Sequence, residues 1–258
     1  MSLTRAGLGG RKCPCPLLPS WCAFHTYSRG AAGDWLMTAV RWWVSALLAT
    51  VLASAVSFQW LDRPIAFLVH RQGERPQVLG WLTLTPDPLI PLALVSFIAL
   101  SLWTLSGRIL VKWQWVLLIC SISAIVAEAV KTQLKFIFGR TWPDTWIDNN
   151  PSLIRDGVYG FNPFHGGGGY ASFPSGHMTA LCAVLVVLWM GYPKLRAIYL
   201  LLAVIVAAAL VGEDYHFLSD VIAGVFVGAS IGWMSYTFAI DALIAKHETT
   251  LGPRNLDR

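Results

Sequence analysis

The chain has 258 residues, of which 55% are hydrophobic and only 13% charged, with a mean hydropathy of +0.57 and a formal net charge of +5. Soluble domains carry about 25% charged residues, so this composition excludes intrinsic disorder, a charged repeat array and an ordinary cytosolic enzyme. Lys and Arg outnumber Asp and Glu by 19 to 14, an excess that membrane topology explains better than nucleic-acid binding. The five Cys form no disulfide framework, since Cys120 and Cys182 lie within apolar runs. The pair Cys13 and Cys15 lacks the spacing of a zinc knuckle.

Residues 1–36 are rich in Gly, Pro, Cys and Ser without periodicity, and read as a flexible N-terminal tail. No apolar core precedes a small-residue cleavage site, so this is not a secretory signal. A translation start at Met37 is also compatible with the sequence. From 37 to 246 the pattern predicts an all-α polytopic membrane protein, a bundle of six transmembrane helices. A spanning helix needs about 20 mostly apolar residues, because lipid offers its backbone no hydrogen-bonding partner. Six stretches qualify: Trp42–Trp60, Leu89–Leu105, Trp115–Val130, Met178–Tyr192, Ile198–Val211 and Val221–Ile240. Trp and Tyr cluster at several ends, as interfacial anchors do. The fourth and fifth are short and are expected to lengthen into their flanks. Residues 247–258 read as a short polar tail.

Orientation follows from Lys and Arg. With the N-terminus inside, 12 basic residues fall on inner segments and 7 on outer ones. The two short inner hairpins carry Arg108 with Lys112, and Lys194 with Arg196. Both termini are therefore placed in the cytoplasm.

Three polar clusters interrupt the apolar pattern. The first closes span three, with Glu128, Lys131, Lys135 and Arg140. The second opens span four with Ser175, Gly176 and His177. The third lies between spans five and six, with Glu213, Asp214, His216 and Asp220. Topology alone puts all three on one membrane face, the outer one. Convergent cations and imidazoles suit phosphoryl transfer, where positive donors neutralise phosphate oxygens and His acts as nucleophile or acid. Backbone amides at the helix start after Pro174 add donors for an anion. Plainer readings stand beside these. Asp220 suits a helix cap, Lys135 and Arg140 suit interfacial anchoring, and Glu128 with Lys131 suits an i,i+3 ion pair.

The motif Phe173-Pro-Ser-Gly-His177, joined to His216-Phe-Leu-Ser-Asp220 about 40 residues later, resembles the type 2 phosphatidic acid phosphatase family of membrane lipid phosphatases. The basic Phe-Gly-Arg stretch ending at Arg140 strengthens the likeness, which covers roughly residues 89–240. What the resemblance implies is a phosphatase domain over 37–246 that works without metal or cofactor. His216 would be the nucleophile, Asp220 would orient it, and His177 would protonate the leaving oxygen. Ser175, Gly176 and Lys135 would bind phosphate. Two arginines of the family pattern are absent, their positions holding Trp142 and Leu210. Each lost charge-assisted hydrogen bond costs about 1.5–3 kcal/mol, and Arg140 is expected to replace the first.

The implied substrate is a phospholipid or isoprenyl phosphate, a monoester or diphosphate, met at the periplasmic face of a bacterial inner membrane. Two alternatives stay open: a catalytically weakened member that binds or moves lipid, and a lipid phosphotransferase. No nucleic-acid partner is expected.

Overall fold

Backbone polar groups in lipid must be satisfied within their own segment. Every apolar stretch picked out in the sequence is helical in the computed structural model, which describes residues 32–73, 77–84, 86–146 and 149–251. Most of the expected N-terminal tail, 1–31, and the last residues, 252–258, lie outside the described residues. The first stretch belongs to one continuous rod: α1 (Ala32–Val56), a π-helical turn (Ser57–Leu61) and α2 (Asp62–Arg71). Then come α3 (Gln77–Thr83), α4 (Leu89–Leu105), α5 (Lys112–Phe138) and a single turn, α6 (Leu153–Asp156). The bundle is completed by α7 (Gly176–Gly191), α8 (Arg196–Gly212) and α9 (Leu218–Leu251). Among the described residues there is no strand, only isolated bridges pairing Arg140 with Phe161 and Ala171, and Trp142 with Ser152.

Four segments are long and apolar enough to cross a bilayer: Met37–Arg71, Lys112–Phe138, Pro193–Gly212 and Leu218–Ala242. α4 and α7 are equally apolar but have 17 and 16 residues, about 24–25 Å against a hydrocarbon core of about 30 Å. The fifth stretch does lengthen, through a 3-10 turn at Pro193–Leu195. The fourth gains only Gly176 and His177, because Ser175 caps the helix by accepting from the Met178 amide at 3.4 Å. The sixth runs on as helix to Leu251, so part of the polar tail expected at 247–258 is helical.

Apolar side chains point outward as well as inward, as in a lipid-facing bundle. Trp42 on α1 is 73% exposed and Leu52 66%, whereas α7 buries Met178, Leu181, Cys182, Leu185 and Val187. α7 is the hub. It packs against α5, α8 and, most extensively, α9. The α7–α9 contact depends on Gly224, Gly228 and Gly232, spaced four apart on one face of α9. A Cβ at Gly228 would lie 2.3 Å from the Thr179 carbonyl oxygen, and one at Gly232 would lie 2.4 Å from that of Ala183. Lipid gives no hydrophobic drive between helices, so small residues and close backbone approach hold them instead. That approach fixes the start of α7 beside the start of α9.

Adding one methyl group at Gly228 should therefore force the pair apart, and overpacking of this kind costs about 1–3 kcal/mol. Gly228→Ala is expected to lower the unfolding temperature in detergent. Gly80→Ala, where an added Cβ meets nothing within 4 Å, should match the parent.

Candidate functional site

α5 ends at Gly139, whose left-handed conformation (φ 56°) caps the helix and turns the chain inward. A side chain cannot fit there, since a Cβ would lie 1.8 Å from the Asn162 carbonyl oxygen. The next residue, Arg140, enters the interior. Its main chain is held by the Ser172 amide, which donates to the Arg140 carbonyl at 3.2 Å.

Arg140 is fully buried. One guanidinium nitrogen donates to Asp62 Oδ2 at 2.7 Å, and the other donates to Asp220 Oδ1 and to the Ser219 hydroxyl. Phe217, Phe161, Phe58 and Tyr159 enclose it, with Cζ 4.3 to 5.4 Å from their ring centroids. Burial alone would lower its pKa, but Asp220 and Asp62 outweigh burial and hold it above the ordinary value. The expected phosphate-binding role for Arg140 is therefore corrected by the geometry. Its charge is engaged by two carboxylates, and none of its surface is open to a ligand. It is a positioning residue.

Asp62 is the partner that the motifs did not reveal. It leaves the first rod at the start of α2, accepts from the Ser57 hydroxyl at 2.7 Å, and accepts from the Ser219 amide at 3.0 Å. Asp220 completes the chain of contacts. Its Oδ2 accepts from the Ser172 hydroxyl at 2.6 Å and the Phe217 amide at 3.1 Å, and lies 3.5 Å from His216 Nδ1. Capping α9 and facing His216 are thus one arrangement, not rival readings.

His216 sits in the turn before α9, buried, with Nδ1 also 3.4 Å from the Ser172 hydroxyl. Its Nε2 is buried with no partner. Burial pushes its pKa below the ordinary imidazole value, against the pull of Asp220. His177, in the first turn of α7, places its ring centroid 6.0 Å from that of His216. Its Nε2 lies 3.0 Å from Asp87 Oδ1, and its Nδ1 has no partner. Asp87 sits just before α4, and desolvation raises its pKa.

The cations come from α5. A Cβ at Gly176 would lie 3.1 Å from Lys131 Nζ and 3.3 Å from Lys135 Nζ, so two ammonium groups converge on the glycine that follows buried Ser175. Lys131 also pairs with Glu128 at 2.7 Å. The two residues at the missing arginine positions play apolar parts. Leu210 is fully buried in the cluster of Met178, Leu181 and Val206. Trp142 lies against the His216 ring, centroids 5.2 Å apart, and its indole N–H donates to the Gly168 carbonyl at 2.7 Å. His70, Asp144 and Asp214 bring ligand atoms within 4.8 Å of one another, but Asp144 and Asp214 make further interactions of their own.

Sequence reasoning grouped the two His, Asp220, Lys135, Ser175 and Gly176, and the structure brings these together. It missed Asp62, Asp87, Ser172 and the part of Lys131. For Asp62 a signal was present, because an acid in an apolar run is expensive unless it is paired or functional.

The model of the PAP2 superfamily matches residues 115–243. The chain belongs to that superfamily. Two curated relatives are lipid A 1-phosphatases. One, from Rhizobium etli, is 35% identical over 107 residues, 42% of each chain. The other, from Rhizobium johnstonii, is 30% identical over 127 residues, 49% of this chain and 48% of the relative. The match thus spans less than half the length of these relatives. Among solved structures, a transmembrane PAP2-type phosphatidylglycerolphosphate phosphatase from Bacillus subtilis is similar over 77% of this chain and 96% of that one, at 20% identity and a TM-score of 0.48. Family membership and the apolar helices together make this an integral membrane protein of the PAP2 type.

Removing Arg140 would leave Asp62 and Asp220 buried and uncompensated, a loss of about 3–5 kcal/mol. Arg140→Ala should therefore lower the unfolding temperature strongly. Asp62→Asn, which keeps shape and removes one charge, should be milder. An Arg140→Ala protein as stable as the parent would remove the positioning role.

Proposed function

We propose that this PAP2 protein is a membrane lipid phosphatase acting through a phosphohistidine. The observation that carries the reading is a buried His216 with an unpartnered Nε2 and a carboxylate behind its Nδ1, beside a second His and two lysines. His216 Nε2 attacks phosphorus and a P–N bond forms. The P–O bond to the lipid breaks, and His177 gives a proton to the departing oxygen. Asp220, accepting from Nδ1–H, stabilises the positive charge that the ring gains. Water, giving a proton to His177, then attacks phosphorus and the P–N bond breaks, so that inorganic phosphate leaves and both histidines are restored. Lys135, Lys131, Ser175 and the Gly176 amide hold the phosphate oxygens, as preorganised donors do where charge develops. The chain's own side chains and the Gly176 amide supply this chemistry, without a metal.

The substrate class is a lipid phosphate monoester or diphosphate entering sideways from the bilayer, so that its acyl chains never leave lipid. The names of the relatives, lipid A 1-phosphatases, favour a lipid with a polar headgroup. The site faces the periplasm of a bacterial inner membrane, the side opposite the hairpins that carry Arg108, Lys112, Lys194 and Arg196. With Trp142 and Leu210 in place of arginines, phosphate is gripped by amines, which favours slower turnover than in a member carrying both.

Two variants separate the roles. His216→Ala removes the atom that accepts phosphorus and should be inactive on every substrate. His177→Ala removes a proton donor, typically worth about 10²–10⁴-fold, and should be partly rescued on a phosphate ester with a good leaving group. Equal rescue of both variants would reverse or remove these assignments.

A further inference from the structure

His177 is the proposed proton donor, and a carboxylate outside both histidine motifs touches it. Asp87, in the turn before α4, places Oδ1 3.0 Å from His177 Nε2, across 90 residues of sequence. The Tyr215 ring stands edge-to-face against His177, with centroids 5.2 Å apart. Tyr215 limits the tilt of the imidazole, and Asp87 fixes which of its edges points where. A half-turn about Cβ–Cγ would exchange Nε2 with Cε1 and break the contact with Asp87.

The consequence falls on the other ring nitrogen. With Nε2–H donated to Asp87, Nδ1 is the nitrogen left for a leaving oxygen. His177 Nδ1 and His216 Nε2 are both buried without a hydrogen-bond partner among the described residues, on rings whose centroids lie 6.0 Å apart. A hydrogen bond at one imidazole nitrogen decides which tautomer the neutral ring adopts. A carboxylate acceptor also stabilises the imidazolium, the form that gives up a proton. Asp87 thus stands to the acid as Asp220 stands to the nucleophile. Their settings differ, since Asp220 is buried in the Arg140 network whereas the Asp87 side chain is 54% exposed. Loss of Asp87 therefore opens no gap in the interior.

We propose that Asp87 is a positioning residue for the proton donor: it holds His177 by Nε2, so that Nδ1 protonates the leaving oxygen and takes a proton back from the attacking water. This deepens the phosphatase reading and rests on it for the chemistry, but the state of the ring is read without turnover. Nitrogen NMR of the full chain in detergent, carrying isotope-labelled histidine, identifies His177 by the signals lost in His177→Ala. Neutral His177 should carry its proton on Nε2 in the parent, and Asp87→Ala should mix or reverse the tautomers. The kinetic readout is kcat/KM, which covers events up to departure of the leaving group. Asp87→Ala should lose at least about tenfold more on a lipid phosphate than on a nitrophenyl phosphate, the effect of one hydrogen bond to a charged group. Asp87→Asn, which keeps an acceptor without the charge, should retain the tautomer and still lose activity on the lipid.

A parent His177 protonated on Nδ1, or a tautomer unchanged in Asp87→Ala, would overturn the proposal. So would equal losses on the two esters. A parent inert on every phosphate ester would sink the phosphatase reading, and the tautomer of His177 would then decide alone whether Asp87 holds the ring.

Discussion

A guanidinium buried between two carboxylates is the constraint on which the site depends. Arg140 joins Asp62, at the start of α2 within the first rod, to Asp220, in the first turn of α9. Such a group tolerates no vacancy, since removing one member leaves an unpaired charge in an apolar interior. The loop after α5, the α1–α2 rod and the turn carrying His216 are thereby locked into one arrangement. The aromatic enclosure of Phe58, Tyr159, Phe161 and Phe217 excludes water and strengthens each contact. One consequence reaches the chemistry. Asp220 is held from behind by Arg140, so its other oxygen stays near His216 Nδ1.

The electrostatics of the proposed site differ from those the family resemblance implies. The place of one arginine is taken by Leu210 inside the apolar cluster of α7 and α8. The place of the other is taken by Trp142, which packs on His216 and anchors the glycine run. Positive charge at the proposed phosphate site comes from Lys131 and Lys135, one helical turn apart on α5. An ammonium is a compact point charge, whereas a guanidinium offers a planar fork to two oxygens at once. On the proposed function, this exchanges grip for a looser pose and leaves orientation to Ser175 and the Gly176 amide.

Much of this was legible in the sequence because it is local. Apolar runs placed the helices, and the clusters at His177 and His216 met because topology puts them on one face. What escaped was long-range or rested on residues without an evident signature. Asp62 lies 78 residues from Arg140, and nothing in the motif order joins them. The sequence puts Arg140 at the phosphate because it lies two residues before the position of the absent family arginine, now Trp142. Its burial depends on Gly139 turning the chain inward, and on a counter-ion from another helix. The glycine spacing on α9 was readable in principle, but its partner, the Thr179 and Ala183 backbone of α7, appears only in three dimensions. α7 stayed short because Ser175 caps it, a detail that hydropathy does not register.

The central claim is that phosphorus passes through His216 Nε2, and direct detection of that bond tests it best. Protein quenched in alkali during turnover, where phosphohistidine survives, can be digested and its modified residue located by mass spectrometry. Phosphate on His216, absent before substrate and gone after exhaustion, is the expected result. Sustained phosphate release with no modified histidine at any time, or with phosphate on another residue, would contradict it.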